Sequence, residues 1–281
     1  MTQLLAPAKL NLALVVGPLR PDGKHEVATV LQAIDLCDDV TVEPADSLAV
    51  EGFAEDTIVR AALTQLAEAA GVAPSWRVRI EKRIPVAGGL GGGSSDAAAA
   101  LELANSSLAT PLPDEELRAL AATIGADVPF FLCGGGPQLG TGDGSDLLPL
   151  DLPSSYTVVL VLRQGAHKES TAAVYRRFDE RHGARGFEER RSQLVHALDG
   201  VSNSKDLATL PPNDLVSSPL AQALERLGAF RADVTGAGPV AYGLFETVEA
   251  AARAASSLQR SGRCWIARPL SQPRSPTALA R

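Results

Sequence analysis

The residue types best suited to chemistry lie in a glycine-rich segment, PVAGGLGGGSS at 85–95. Five glycines fall within six residues there: Gly88, Gly89, Gly91, Gly92 and Gly93. Because glycine lacks a Cβ atom, such a backbone can turn its N–H groups inward and approach phosphate oxygens closely. A predicted helix follows, so its N-terminus and the hydroxyls of Ser94 and Ser95 add donors. The segment predicts a phosphate-binding loop; the alternatives are a flexible linker and a tight strand-to-helix turn.

Two other kinds of phosphate loop do not match this segment. A Walker A loop needs a Gly-Lys pair followed by Ser or Thr, and the segment contains no lysine. A Rossmann fingerprint needs a parallel βαβ unit and an acidic residue at the end of the second strand, and the sequence offers neither plainly. The predicted phosphate loop is therefore of another kind.

Two charged residues outside the loop are candidates for a reacting centre. Asp127 follows a predicted helix that ends at Gly125, and it is either an acid–base group or the N-cap of a short turn that begins at Val128. Lys9 lies beside Asn11 on the polar side of a predicted strand. From the residues alone, Lys9 is either part of a charged site or a solvent-facing side chain.

Two aromatic rings and a second turn of small residues complete the candidates. His25 lies in a turn just before a strand, and Tyr175 lies on a predicted helix, where its alternative role is half-packed core. The turn contains Thr235, Gly236, Ala237 and Gly238, and its alternative is an ordinary helix-to-strand connection. The remaining histidines are expected at the surface: His167, His182 and His196.

The elements that must position these residues follow from hydrophobic periodicity. Strands are predicted at 6–16, 27–34, 38–44, 47–51, 76–82, 156–162, 240–246 and 263–270, and helices at 56–70, 96–105, 113–124, 170–181, 218–228 and 247–261. The first strand is expected to place one alternating set on one face: Ala8, Leu10, Leu12, Leu14 and Val16. Asp56 is expected to cap the first helix and Gly71 to end it. Strands and helices mix without strict βαβ alternation, which favours an α+β fold.

Composition limits the class of protein. The chain has 281 residues, of which 45% are hydrophobic, and its formal net charge is -7. That charge argues against general nucleic-acid binding, and the apolar runs are too short to cross a bilayer. No signal peptide is visible. Three widely spaced cysteines, Cys37, Cys133 and Cys264, predict buried thiols in a reducing compartment. The expected location is the cytoplasm, and the expected partner is a small-molecule substrate, with neither nucleic acid nor membrane.

Several motifs resemble those of the GHMP kinases, the family of galactokinase, homoserine kinase and mevalonate kinase. In chain order they are PAKLNLAL, RPDGKHEVATVLQAIDLCD, PVAGGLGGGSSDAA, GADVPFFLCGG, QLGTGDG, PPNDL and VTGAGPVAYGLF. A single motif is weak evidence, but seven in order, over residues 5–268, are specific. The Gly-Gly-Gly-Ser-Ser run is most similar to the branch that phosphorylates a cytidine-diphosphate-linked methylerythritol at its 2-hydroxyl during isoprenoid synthesis.

The resemblance implies a fold and a cofactor. The fold is α+β and two-lobed, with an ATP-loop half at 1–152, a smaller half at 153–268 and a disordered tail at 269–281. A composition change at DLPSS, residues 151–155, agrees with that boundary. ATP and Mg²⁺ are the implied cofactors, and Ser94 is a possible metal contact without an identified carboxylate ligand.

The resemblance also implies residue roles. Asp127 accepts the proton of the attacking hydroxyl, and Lys9 offsets charge on the transferred phosphoryl group. Asn11, Lys24, His25 and Tyr175 are the implied substrate contacts, with His25 on the cytosine and Tyr175 stacked against it. The third motif, Thr235–Gly238, shapes the site beside the loop. The implied ATP-binding residues are Pro85, Val86, Ala87, Gly88, Gly89, Leu90, Gly91, Gly92, Gly93, Ser94 and Ser95.

The chain departs from the family pattern on the substrate side. Lys24 stands where the family usually has a tyrosine before the histidine, and the usual proline after the strand at 156–162 is missing. Two alternatives therefore stay open beside the cytidyl substrate. One is a GHMP kinase for homoserine or a sugar, and the other is a pseudokinase that only binds nucleotide.

Overall fold

The computed structural model describes residues 2–53, 58–165 and 170–271. The strands are β1 Thr2–Leu19, β2 His25–Pro44, β3 Ala49–Glu51, β4 Trp76–Glu81, β5 Gln138–Thr141, β6 Asp146–Pro149, β7 Thr157–Arg163, β8 Arg231–Val234, β9 Ala241–Phe245 and β10 Gly262–Ala267. The helices are α1 Ile58–Ala70, α2 Gly92–Ser106, α3 Asp114–Ile124, α4 Val128–Leu132, α5 Thr171–Glu180, α6 Phe187–Asp199, α7 Pro219–Arg226 and α8 Val248–Leu258, with a 3₁₀ helix at Ser204–Thr209. Mixed helices and antiparallel strands confirm the predicted α+β class.

The first sheet is built around the long strand β2. Strand β1 pairs with β2 in antiparallel fashion along nearly its whole length. Strands β4 and β5 pair with its two ends, and β3 and β6 extend the sheet in the order β3-β4-β2-β5-β6. The stretches predicted as separate strands at 27–34 and 38–44 are therefore parts of one strand, whose irregular register lies near Cys37.

The second sheet has four strands in the order β10-β7-β9-β8, and it carries helices α7 and α8 on one face. Its other face packs against β1 and β2. The core between the two sheets takes residues from both, including Leu10, Ile34, Leu160 and Tyr242. A separate core lies between the first sheet and helices α1 to α4. Strand β1 thus lies at the centre of the molecule, which explains why nearly all of it is buried.

The predicted face of β1 is wrong beyond Leu12. The pairing register shifts between Asn11 and Ala13, so a bulge at Leu12 reverses the alternation. Ala13 consequently joins the inter-sheet core, whereas Leu14 joins a different cluster. The bulge leaves Lys9, Asn11 and Leu14 on the side that lines a cavity.

Other predictions need correction. Helix α2 begins at Gly92, earlier than the predicted start near Ser95 or Asp96. Helix α6 was not predicted, because only Phe187 and Leu194 are fully buried along it and its apolar pattern is weak. All three cysteines are partly exposed, whereas the sequence predicted that they are buried. Gly71 does follow α1 with a left-handed φ of 65°, whereas Asp56 lies outside the described residues.

The connection between the sheets runs from Pro149 to Thr157. The predicted boundary at 152 falls within it, and the two-domain division stays a prediction. In the predicted tail, the N–H of Leu270 donates to the carbonyl of Ala33 at 2.8 Å, and residues 272–281 lie outside the described part of the chain. His182 and His196 are exposed, while His167 is not described. None of the helices in the described ranges has both the length and the apolar character needed to cross a membrane.

Candidate active site

A cavity of about 520 Å³ lies between β1, the glycine-rich loop and the third motif. Its walls contain most of the predicted site residues: Lys9, Asn11, Pro85, Val86, Ala87, Gly88, Gly89, Leu90, Gly91, Gly92, Gly93, Ser94, Asp127, Tyr175, Gly236 and Ala237. Five predicted residues are not among those that line this cavity: Lys24, His25, Ser95, Thr235 and Gly238. The fold therefore brings together segments that are far apart in the sequence.

The glycine-rich loop is packed too closely for side chains at two positions. A Cβ atom at Gly89 would lie 2.4 Å from the carbonyl oxygen of Thr235, and Gly89 has a φ of +79°. At Gly91, where φ is +69°, a Cβ would lie 3.0 Å from Lys9 Cγ and 3.0 Å from Phe131 Cζ. These contacts, and not flexibility, require glycine here. The loop is an ordered connection from β4 to α2.

The loop is joined to β1 and leads directly into α2. The backbone N–H of Lys9 donates to the carbonyl of Leu90 at 2.9 Å. Gly91 is the N-cap of α2 and makes no side-chain cap, so N–H groups of the first turn have no side-chain acceptor at the cap. Ser94 lines the cavity. Ser95, by contrast, is fully buried and its Oγ has no hydrogen-bond partner, which differs from the prediction that both hydroxyls serve the phosphates.

A charged pair lies beside the loop. Lys9 Nζ is 3.4 Å from Asp127 Oδ2, and the two side chains are 5% and 36% exposed. Asp127 occupies the N-cap position of α4, as the alternative interpretation expected, but its side chain makes no capping hydrogen bond. The carboxylate is therefore available at the cavity wall. Lys9 is buried and not solvent-facing, because the bulged β1 runs through the centre of the molecule.

Asn11 links the charged pair to both sheets. Its Oδ1 accepts from Lys9 Nζ at 2.7 Å, and its Nδ2 donates to Thr29 Oγ1 at 2.8 Å. Its backbone N–H donates to Thr235 Oγ1 at 3.2 Å. Asn11 is thus fixed by three bonds and in turn orients the lysine head.

The third motif is held by a residue whose role the sequence did not predict. Asn213, in the PPNDL motif, donates from Nδ2 to the carbonyls of Val234 at 2.9 Å and Gly236 at 2.7 Å. Val240 N–H donates to the carbonyl of Gly88 at 3.3 Å. The turn is therefore fixed against the glycine-rich loop. The signal was a conspicuous Pro-Pro-Asn-Asp run, whose partners are distant in sequence.

The cavity mouth carries an ion pair. Lys24 Nζ, from the turn between β1 and β2, contacts Asp143 Oδ2 in the turn between β5 and β6. Asp143 lines the cavity. Partial burial disfavours its charge, but hydrogen bonds from Lys24 and Ser145 outweigh burial and lower the pKa of Asp143 to about 2. Lys24 thus offsets a permanent negative charge at the mouth.

His25 and Tyr175 are in direct contact. Their ring centroids are 4.7 Å apart with an interplanar angle of 32°, and His25 Nε2 lies 2.9 Å from Asp179 Oδ1 on α5. Tyr175 lines the cavity. Burial, with the charge of Asp127, raises the pKa of Tyr175 to about 12. The histidine therefore supports one face of a neutral tyrosine ring.

A buried charge cluster under the loop was missed by the sequence reasoning. Lys82 Nζ lies 2.5 Å from Asp38 Oδ2 and 2.6 Å from Asp96 Oδ2, and Lys82 lines the cavity. Asp38 Oδ1 also accepts the N–H groups of Arg83 and Ile84. Asp96 Oδ1 has no hydrogen-bond partner. The cluster fixes the end of β4 to the N-terminal part of α2, on either side of the loop.

The cluster shifts the pKa of Lys82 and the pKa of Asp96. Burial disfavours the charged form of Lys82, but Asp96 and Asp38 outweigh it and raise the pKa of the ammonium group. Burial, with the charge of Asp38, outweighs the attraction of Lys82 and raises the pKa of Asp96 to about 7. One lysine cannot neutralise two buried carboxylates, so the less hydrogen-bonded one retains its proton longer.

The family models match both halves of the chain. A model described as GHMP kinases N terminal domain matches residues 56–135, and one described as GHMP kinases C terminal matches residues 186–264. The glycine-rich loop lies in the first match and the third motif in the second. The chain belongs to the GHMP kinase family and is an ATP-dependent small-molecule kinase.

Individual relatives share one name. The 4-diphosphocytidyl-2-C-methyl-D-erythritol kinase of Nocardia farcinica is 39% identical over 98% of this chain and 94% of its own, and that of Rhodococcus jostii is 40% identical over 95% and 91%. A crystal structure of 4-(cytidine 5'-diphospho)-2C-methyl-D-erythritol kinase is 33% identical, with a TM-score of 0.76 over 95% of this chain and 98% of the other. A mevalonate kinase structure has a TM-score of 0.76 at 14% identity, which shows a common fold.

Proposed function

We propose that this kinase transfers the γ-phosphoryl group of ATP to the 2-hydroxyl of 4-diphosphocytidyl-2-C-methyl-D-erythritol. The observation that carries the chemistry is the Lys9–Asp127 pair, at 3.4 Å, in the wall of the cavity that the glycine-rich loop also lines. The substrate class is supported by relatives of that name at about 39% identity over nearly the whole chain.

In this proposal, Asp127 accepts the proton of the attacking hydroxyl. Lys9, oriented by Asn11, contacts an oxygen of the transferred group and offsets the charge that develops there. Since Lys9 is buried, this electrostatic interaction is little screened by solvent. The N–H groups of the loop and of the first turn of α2 bind the remaining phosphate oxygens.

The loop end of the cavity is suited to the nucleotide. Phe53, Ile58 and Lys82 line this part of the wall, and Lys82 Nζ lies 5.7 Å from the Phe53 ring centroid. Apolar side chains beside one cation suit a purine ring that continues from the phosphates. This end of the cavity is our candidate adenine site.

Magnesium fits the donor set without a dedicated cage. Among the described residues there is no group of three or more His, Cys, Asp or Glu side chains placed to hold a metal. Mg²⁺ in kinases is held largely by substrate phosphates and waters with one or two protein oxygens, and Ser94 and Asp127 can supply those. The ion would neutralise charge on the β- and γ-phosphates.

The other end of the cavity is our candidate cytidyl site. Tyr175 offers a ring supported from behind by His25, and Lys24 balances Asp143 at the mouth. Base–aromatic stacking is worth roughly 1–3 kcal/mol. A single stacking ring and a lysine in place of a second one are compatible with a base that carries a diphosphate.

A substrate panel tests the proposal. Purified protein with ATP and Mg²⁺ is incubated separately with the cytidyl substrate, homoserine and mevalonate, and products are identified by ³¹P NMR. We expect a phosphomonoester only with the cytidyl substrate. Turnover of homoserine or mevalonate instead would establish another GHMP kinase, and absence of any transfer despite ATP binding would contradict the proposal and favour the pseudokinase. A cytoplasmic location stays a prediction from the sequence.

A further inference from the structure

A second cavity, of about 960 Å³, lies behind the third motif. Its walls come from the end of β7, from α5, from the start of α7 and from the turn after α8. Ala237 lines both cavities, whereas Gly236 lines the first and Gly238 the second. The second cavity is therefore a neighbour of the candidate active site with its own set of side chains.

The charge of this cavity is opposite to that of the whole chain. Its walls contain Arg163, Arg177 and Arg260, and none of its described lining residues is Asp or Glu. The chain as a whole has 33 acidic and 26 basic residues. Arg163 and Arg260 form no ion pair with any of the described residues. Guanidinium groups that no described carboxylate neutralises create a positive potential that favours an anion.

The rest of the wall is divided between hydroxyl groups and apolar side chains. Ser217, Ser218 and Ser261 lie in it. The Ser218 hydroxyl caps α7 by accepting the N–H of Leu220 at 3.2 Å, so the hydroxyl proton remains a donor. The apolar wall consists of Val174, Val216, Pro219, Leu220, Ala223, Val234, Ala237 and Pro239. One ligand that matches both parts has a polar anionic head and an apolar body.

We propose that this cavity binds a small molecule that carries a phosphate or diphosphate group on an apolar body. Arginine has a planar fork of donors that matches phosphate oxygens. Arg163 and Arg260 come from different elements, and two guanidinium groups suit a ligand with more than one negative charge, which a phosphate monoester carries and a carboxylate does not. The site is distinct from the ATP site, since none of its arginines lines the first cavity.

The test uses hexyl phosphate as the probe. The full chain is titrated calorimetrically in the presence of saturating non-hydrolysable ATP analogue, so that the glycine-rich loop is already occupied. We expect one site. The Arg163→Gln/Arg260→Gln variant should bind at least about tenfold more weakly, because it loses two charged hydrogen-bond donors to the phosphate.

Arg253→Gln is the matched control, because Arg253 is an exposed arginine of α8 that does not line the cavity. It should bind hexyl phosphate as the wild type does. All the substituted arginines are exposed, so thermal unfolding should be nearly unchanged. Inorganic phosphate should bind more weakly than hexyl phosphate. No binding, equal binding by the double variant, or equal affinity for inorganic phosphate overturns the proposal.

Discussion

At the mouth of the candidate active site, Lys24 offsets the negative charge of Asp143. Lys24 stands where the family resemblance implies an aromatic ring, and its contact with Asp143 explains how the chain tolerates the change. The pairing could not be predicted, because 119 residues separate the two partners. Their meeting depends on how β5 pairs with β2.

Lys24→Met should raise the KM for the cytidyl substrate by about five- to tenfold and leave the KM for ATP unchanged. Without Lys24, the Asp143 carboxylate remains charged at the mouth and repels the substrate diphosphate. The double variant Lys24→Met/Asp143→Asn should recover most of the lost affinity. Steady-state kinetics on the wild type, Lys24→Met, Asp143→Asn and the double variant gives the coupling. A double variant as impaired as Lys24→Met would mean that Lys24 itself binds the substrate.

The contacts within the buried cluster of Lys82, Asp38 and Asp96 could not be predicted from the sequence either. Lys82 belongs to an alternating strand pattern and gives no sign that it contacts Asp38, which is 44 residues away, or Asp96, which is 14 away. Lys9 and Asp127, in contrast, were predicted as a pair from the family resemblance. The structure adds their distance and the burial that makes the lysine effective.

At the scale of elements, the loop and α2 show where local propensity fails. Glycine disfavours helix, so the sequence predicted that α2 starts near Ser95 or Asp96, whereas it starts at Gly92. A Cβ at Gly92 would lie 3.2 Å from Ile84 Cγ2, and one at Gly93 would lie 3.3 Å from Ile58 Cδ1. Close packing of the first turn thus overrides propensity.

Gly91→Ala should lower kcat/KM for ATP on the order of ten- to a hundredfold, because the new methyl group displaces Lys9 or the loop. Gly71→Ala is the matched control. Gly71 has a similar φ of +65°, but a Cβ there meets nothing within 4 Å. Both variants carry a backbone strain of about 1–2 kcal/mol, which thermal unfolding measures. Equal activity in the two variants would remove Gly91 from the phosphate site.

The Asp96 carboxyl group makes stability depend on pH. Its pKa is raised by burial to about 7, against about 3.9 in an unfolded chain. The folded state therefore binds the extra proton, and this stabilisation is complete below pH ~4 and lost as the pH rises through ~7. In urea unfolding from pH 5 to pH 8, the wild type should lose stability relative to Asp96→Asn, by up to about 1.4 kcal/mol per pH unit. Parallel profiles would contradict this assignment.

At the scale of the whole molecule, the two sheets share one core. Most strands and helices were predictable from periodicity, but the pairing of β1 with β2 and the packing of β1 against the second sheet were not. Tyr242 Oη, in the second sheet, donates to the carbonyl of Asn11 at 3.1 Å. Such contacts join segments that are distant in the sequence, so the composition change at residues 151–155 could not predict them.

The shared core predicts cooperative unfolding. Residues 1–152 expressed alone would expose Leu10 and Ile34, which are fully buried in the whole chain. We expect that fragment to bind a hydrophobic dye and to lack a thermal transition, while the full chain shows a single calorimetric transition with equal van't Hoff and calorimetric enthalpies. Two separate transitions would show that the halves fold independently.

The most direct test of the account is single-turnover transfer from γ-labelled ATP to 4-diphosphocytidyl-2-C-methyl-D-erythritol by the wild type and by Asp127→Asn. General-base groups typically contribute about 10²–10⁴ in rate. We predict transfer to the 2-hydroxyl by the wild type and transfer at least about 100-fold slower by the variant, with ATP affinity nearly unchanged. A variant that transfers phosphate at close to the wild-type rate would contradict the central claim that Asp127, beside Lys9, is the catalytic base.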